Sequence, residues 1–257
     1  TAPTTRTSSS IPWRRKGRRM TFKHFFQDYW WQLILVAAIS YLIGCVNYAV
    51  VFSKAIKHED IRSLGSKNAG TTNMFRVFGL RMGALTFLCD ALKGVIPSLV
   101  CRFLFADADV ALTFAYWAGL FAVIGHIFPV FYNWWGGKGV ATSIGVCFVV
   151  QPLLSLYCVL PLFLLVFVVD RMSVMSLTLA AFMIVWHWAV LSESVGVVAC
   201  TFVTVMFALV ILAHRGNILR IVTGKEPKTG LRRKLLRIDK REAKARLQEE
   251  QNSEKDK

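Results

Sequence analysis

NWWGGKGVATSIGVCFVVQP, residues 133–152, decides how many times this chain can cross a membrane. Lys138 sits between Gly137 and Gly139, and the apolar run that follows, 139–150, stops at Gln151-Pro152. A membrane-spanning helix needs roughly 20 apolar residues, within about 17–25, and a proline disfavours helix at the residue before it. The run is therefore too short to span alone. Joined to the next run, 153–169, it gives either a short span followed by a longer one, or a re-entrant segment and a span. The glycines and lysine also raise the question of a nucleotide phosphate loop. That motif requires Gly, four residues, then Gly-Lys-Ser/Thr. Here Gly139 follows Lys138 and the first hydroxyl is Thr142, so the spacing fails. Two readings remain: glycines that let backbone N–H groups approach an anion at a helix N-terminus, or a flexible turn whose lysine marks the cytoplasmic side.

Composition sets the class. Of 257 residues, 55% are hydrophobic and 13% aromatic, and mean hydropathy is +0.48. A water-soluble domain has too little polar surface for that much apolar material, which points to an all-α integral membrane protein. The net charge of +16 is concentrated in the two tails and the first inter-span loop, where it reports orientation and anionic lipid rather than nucleic acid. The six cysteines, Cys45, Cys89, Cys101, Cys147, Cys158 and Cys200, all lie in apolar segments without a C-x-x-C pair. They read as small buried hydrophobes, and no spacing points to a metal site.

Apolar runs lie at about 31–52, 82–105, 110–132, 139–150, 153–169, 174–191 and 195–213. Loop charge orders them. Lys54, Lys57, Arg62, Lys67, Arg76 and Arg81 fall in 53–81, and Arg171 in 170–173, whereas 106–109 and 192–194 carry acids and no cation. The positive-inside rule places 53–81, 133–138, 170–173 and 214–257 in the cytoplasm. This requires about seven transmembrane helices and an outside N-terminus. Arg14, Arg15, Lys16, Arg18 and Arg19 conflict with that side, and a native start at Met20 removes the conflict. The expected organisation is a basic tail over 1–29, a transmembrane domain over 30–224 and a charged cytoplasmic tail over 225–257. In that last tail Leu231, Leu235, Leu236 and Ile238 mark either an interfacial helix on the anionic inner leaflet or a solvated end.

Three unusual stretches then share the cytoplasmic face: GSKNAGTTNMFRVFG (65–79), GHIFPVFYNWWGGKGVATS (125–143) and HRGNILRIVTGKEPK (214–228). Each ends a span and combines glycine, a cation and small hydrogen-bonding side chains. Irregular backbone at membrane depth is tolerated where it lines a cavity. Their chemistry points to phosphate: Arg76 supplies a planar fork and Lys138 a point charge.

These stretches resemble the PlsY-type membrane glycerol-3-phosphate acyltransferases, which use acyl phosphate. The resemblance rests on Ser66, Asn68, Gly70, Thr72, Asn73 and Arg76; on Gly125, His126, Phe128 and Pro129 followed by Gly136 through Thr142; on His214, Asn217, Gly224 and Glu226; and on Asp90, Lys93 and Gly94 inside the second span. It runs from about 31 to 228. Lys67 stands where glycine is usual, Ala69 where proline is common and Lys225 where threonine is common.

The resemblance implies transfer of a fatty acyl group from acyl phosphate to the 1-hydroxyl of glycerol 3-phosphate, giving lysophosphatidic acid and phosphate, in a bacterial inner membrane with the site facing the cytoplasm. No cofactor or metal is required. By the same resemblance Ser66, Arg76, His214 and Asn217 are catalytic. Asn68, Asn73, Gly136, Gly137, Lys138, Gly139 and Thr142 bind phosphate or substrate. Asp90, Lys93, His126 and Glu226 support the site. His214 acts either as general base or as a hydrogen-bond donor while substrate phosphate takes the proton. Asp90 and Lys93, one turn apart, also read as an ion pair locking the fold, and His187 as packing. A transporter or flippase for a phosphorylated solute is the alternative, although the outer loops are short and no internal repeat is evident. Acyltransferases that use His, four residues, then Asp are disfavoured: five positions after the histidines stand Tyr29, Ser63, Phe131, Ser192 and Leu219.

Overall fold

A computed structural model of the protein describes residues 21–231, and these are helical with no strand among them. The basic run at 14–19, Met20 and the tail leucines at 235 and 236 lie outside the described residues. After a short α1 (Phe22–Asp28), the first apolar run is divided. α2 covers Trp30–Cys45 and α3 covers Tyr48–Lys57. The cause is Asn47, whose side-chain oxygen accepts from Val50 N at 3.1 Å and restarts the helix as its N-cap. A 3₁₀ turn (Ile61–Ser63) and α4 (Thr71–Phe78) lead into α5 (Leu80–Leu104), α6 (Ala108–Ile127), α7 (Val140–Val150) and α8 (Pro152–Val169). Pro152 opens α8 at its first turn, where its missing N–H is no loss.

The last apolar stretch, Met172–Ala213, is 42 residues long, enough for two crossings. α9 (Met172–Trp186) passes through a π-helical turn (His187–Leu191) into α10 (Ser192–Ala213), and the direction changes at Gly196, whose φ is +81°. α9 and α10 pack on each other, and α11 (Arg215–Val222) follows. His187 is buried in the bundle, with Nδ1 donating to Met183 O at 2.7 Å and Nε2 3.0 Å from the Tyr116 hydroxyl, so it is a packing residue as its sequence context indicated.

α7 explains the short run. Its 11 residues rise only about 16 Å, half a bilayer core. It survives because α5, α6 and α8 pack around it and most of its side chains are buried. Two glycines make that contact close. A Cβ at Gly145 of α7 would lie 2.1 Å from Ala91 O of α5, and one at Gly94 of α5 would lie 2.2 Å from Thr142 O of α7. Such small-residue seams let helix backbones meet in a membrane. α8 is the opposite case: Leu153, Leu156, Leu160, Leu164 and Val168 are exposed along it, a surface for lipid. The starts of α5, α7 and α9 and the ends of α6 and α10 come together at one end of the bundle, around one cavity.

Gly145→Ala should therefore destabilise the folded protein by about 1–3 kcal/mol through overpacking. Gly216→Ala, whose Cβ would meet only the Arg220 side chain at 3.5 Å, serves as the control. Thermal unfolding in detergent reads the difference, and equal midpoints for Gly145→Ala and wild type would refute the seam.

Candidate active site

The first wall of the cavity is the segment 64–76. Its organiser is Asn73, fully buried in α4. The Asn73 amide nitrogen reaches Ile61 O, Leu64 O and Asn68 O at 3.2, 2.9 and 3.1 Å, and its oxygen accepts from Ser66 N at 2.9 Å. Asn73, expected to bind substrate, thus spends its amide on the loop that presents Ser66 and Asn68. Lys67 has φ +59°, a left-handed conformation that costs a non-glycine residue roughly 1 kcal/mol. That conformation accounts for the glycine usual at this position. Arg76, one turn beyond Asn73, is half-buried in the cavity lining.

The second wall is the stretch between α6 and α7. It folds onto His126, which is buried at the end of α6. Gly137 N donates to His126 O at 3.1 Å. A Cβ on Gly136 would lie 2.1 Å from that same oxygen, and one on Gly137 would lie 2.1 Å from His126 Nε2. Only glycine permits this approach. Gly139, at φ +84°, then enters α7 without a side-chain cap, so the first N–H groups of α7 border the cavity with Gly136 through Ala141. Beneath His126, Asp90 and Lys93 form a buried ion pair at 2.9 Å, with Lys93 Nζ donating to Val46 O at 2.8 Å and His126 Nδ1 3.6 Å from Asp90. Asp90 and His126 border the cavity; Lys93 lies behind it. Thr142 differs from expectation. It is wholly buried against Gly94 of α5, outside the cavity lining, because one helical turn past Gly139 points it at the seam.

The third wall joins the others through hydrogen bonds. Lys138 Nζ donates to Asn217 Oδ1. Asn217 Nδ2 donates to Glu226 Oε1 at 2.7 Å and to Ser173 Oγ at 3.1 Å. Ser173 Oγ also donates to Glu226, and Arg220 Nε donates to its other oxygen at 2.9 Å. Burial would raise the Glu226 carboxyl, but the hydrogen bonds from Ser173, Asn217 and Arg220 outweigh it and hold the group below its ordinary value, ionised. Burial brings Lys138 down to about 8; Glu226 opposes the shift, while Arg220 and Arg76 add to it. Burial first, and Lys138 second, lower His214 to about 4. His214 Nδ1 lies 2.8 Å from Val210 O, a carbonyl that can only accept, so Nδ1 carries the proton and Nε2 is the free acceptor.

The cavity has a volume of about 960 Å³. It brings together Ser66, Asn68, Asn73, Arg76, Gly136 through Gly139, His214, Asn217 and Glu226, which are far apart in the chain. Among the described residues, Lys67, Arg76, Lys138, Arg215 and Arg220 border it with Asp90 and Glu226, and Asp90 is paired with Lys93. That surplus of positive charge favours an anionic ligand. Beyond the polar end the wall is apolar, with Val159, Phe163, Met175 and Leu209. Sequence reasoning passed over Ser173 and Arg220. Arg220 was detectable, since it follows Asn217 at i+3 on one helix, α11. Ser173 carried no signal.

Comparison with known proteins gives a consistent result. Residues 34–224 match the family model described as glycerol-3-phosphate acyltransferase. A glycerol-3-phosphate acyltransferase of Thermoanaerobacter sp. (strain X514) is 38% identical over 197 residues, covering 77% of this chain and 96% of its own. One from Burkholderia multivorans is 36% identical over 203 residues, covering 79% and 93%. Among solved structures, PlsY, an integral membrane glycerol 3-phosphate acyltransferase in its glycerol 3-phosphate form, aligns with TM-score 0.70 and 33% identity over 77% of this chain and 95% of that one. Its lysophosphatidic acid form aligns with TM-score 0.68.

Lys138 supplies a pH test. Its folded pKa of about 8 lies below the ordinary lysine value of 10.5. Between those values the unfolded chain binds more protons, so this group's contribution to stability rises with pH, by at most about 1.4 kcal/mol per pH unit. Below pH 8 its cost is constant. Comparing the unfolding midpoints of wild type and Lys138→Met from pH 8 to 10 should show this extra upward slope only in wild type. Parallel curves would remove the buried cation from the argument.

Proposed function

The chain belongs to the glycerol-3-phosphate acyltransferase family, and from that premise we propose that the cavity is the site of acyl transfer, with acyl phosphate as donor. The protein is thus a membrane acyltransferase of phospholipid synthesis, and family membership displaces the transporter reading. One observation carries the placement of the chemistry: three glycine-rich basic stretches, separated by whole spans, line one cavity that is cationic at one end and apolar at the other. Glycerol 3-phosphate is a small dianion, and acyl phosphate is an anion with a long apolar tail. A cavity of this polarity accommodates both.

Lys138, Arg76 and the N–H groups at the start of α7 hold phosphate. Ser66 and Asn217 position the acyl phosphate and the attacking hydroxyl. The 1-hydroxyl oxygen forms its bond to the acyl carbon, the bond from that carbon to the phosphate oxygen breaks, and inorganic phosphate departs. Acyl phosphate is already an activated anhydride, so positioning and charge stabilisation suffice. His214 Nε2, the free acceptor, and the substrate phosphate are the two groups that can take the hydroxyl proton. Asn73, His126, Asp90 and Lys93 hold the loops, and Glu226 fixes Lys138 through Asn217.

Phosphate release from palmitoyl phosphate by the purified protein should depend on glycerol 3-phosphate and yield lysophosphatidic acid. Lys138→Ala should lower that rate about 100-fold or more. Release that ignores glycerol 3-phosphate, or survives Lys138→Ala, would defeat the assignment.

The site opens to the cytoplasm of a bacterial inner membrane. Lys54, Lys57, Arg62, Lys67, Arg81, Arg171 and Arg215 crowd the cavity end of the bundle, while Asp107, Asp109 and Glu193 mark the other. A Ser63→Cys reporter, at an exposed position among native cysteines that are buried or half-buried, should react with a membrane-impermeant maleimide in inverted vesicles and not in right-side-out cells. The reverse pattern would invert the topology.

A further inference from the structure

After α11 the chain turns back beneath the cavity as a strap, residues 224–231, most of which lies beyond the family match at 34–224. The strap is pinned to the turn between α8 and α9. Thr229 N donates to Asp170 O at 2.7 Å, Gly230 N donates to Asp170 Oδ1 at 2.9 Å, and the Thr229 hydroxyl accepts from Met172 N at 3.1 Å. Arg171 Nε adds a bond to Glu226 O at 3.3 Å. Gly230, at φ +67°, then turns the chain inward and places Leu231 in the bundle, 4% exposed. There Leu231 packs with Phe75 of α4, Val166 of α8 and Met175 of α9. It borders the cavity, as do Phe75, Phe163 and Met175.

This placement has a chemical consequence. Leu231 sits at the apolar part of the cavity and joins its α4 wall to its α8–α9 wall. An acyl tail is a flexible chain of methylenes, and the side chain that closes its path determines how many of them find room. We propose that Leu231, delivered by the strap, is a specificity-determining residue that sets the acyl-chain length accepted from the donor. The proposal rests on the reading of this cavity as the acyl-transfer site. Leu231 is an apolar side chain packed with Phe75, Val166 and Met175, so its effect is expected on the tail and not on phosphate. A leucine side chain equals several methylenes of volume, and one methylene in a fitted apolar pocket already changes kcat/KM by about tenfold or more.

The experiment measures kcat/KM for lauroyl, palmitoyl and stearoyl phosphate with wild type, Leu231→Ala and Leu231→Trp, each purified in detergent. Leu231→Ala should raise the stearoyl-to-lauroyl ratio about tenfold, and Leu231→Trp should lower it, with the KM for glycerol 3-phosphate held in both. Thr229→Val is the second variant: it removes the acceptor for Met172 N, loosens the strap and leaves the apolar wall intact. It should move the ratio in the direction of Leu231→Ala. Unchanged ratios across active variants overturn the assignment of Leu231 alone. A wild-type protein without glycerol 3-phosphate-dependent turnover on any donor overturns the acyl-transfer reading of the cavity, and this proposal with it.

Discussion

The length of α7 constrains everything around it. Eleven residues cover half of a bilayer core, so one end of α7 lies at membrane depth. Irregular backbone there must be satisfied within the protein. Gly136 and Gly137 fold tightly onto His126, and Gly137 N finds His126 O. His126 in turn rests on the Asp90–Lys93 pair, and Lys93 also bonds the carbonyl of Val46, where α2 ends. A charged pair at 1–2% exposure inside a span is expensive unless each member is satisfied. Here Lys93 bonds Asp90 and Val46 O, His126 Nδ1 lies 3.6 Å from Asp90 without a hydrogen bond, and the glycine turn folded on His126 carries Lys138. The seam of Gly94 and Gly145 holds α7 where that turn requires it.

Charge balance makes the arrangement useful. Glu226 gathers Ser173, Asn217 and Arg220 around itself, and Asn217 hands the connection on to Lys138. One carboxylate thereby fixes the geometry of the cationic end without neutralising it. Burial is the main reason that Lys138 lies below its ordinary value; Glu226 opposes the shift, and Arg220 and Arg76 add to it. Arg62 performs a structural version of the same task. It bonds Asp60 at 2.8 Å and Tyr132 O at 3.2 Å, and so ties the first cavity loop to the second.

Much of this was legible in the sequence because membranes simplify folding. The seven apolar runs appear as α2 with α3, α5, α6, α7, α8, α9 and α10, and alternation of loop charge alone groups the three polar stretches on one face. The finer assignments were less legible. Asn73 and Thr142 belong to motifs associated with binding, yet one ties its own loop and the other faces a helix seam. A motif shows which residues occur together and leaves open which of them face the ligand. Asn47 was hidden inside an apolar run because one capping residue changes local structure without changing mean hydropathy. The domain boundary drawn at 224 followed a change in composition, whereas the chain continues back to the cavity through Glu226, Thr229 and Leu231.

That return ties the two ends of the cavity to one segment. Within six residues, Glu226 fixes the cationic end and Leu231 lines the apolar part. Asp170 supports the path between them from its left-handed position at the end of α8, offering one backbone and one side-chain oxygen to consecutive N–H groups. A movement of the strap would therefore alter phosphate binding and tail accommodation together. A substitution at Leu231 would alter only the tail. The separation follows from geometry: charge acts through the relay of Glu226 and Asn217, while packing at Leu231 acts only on what touches it.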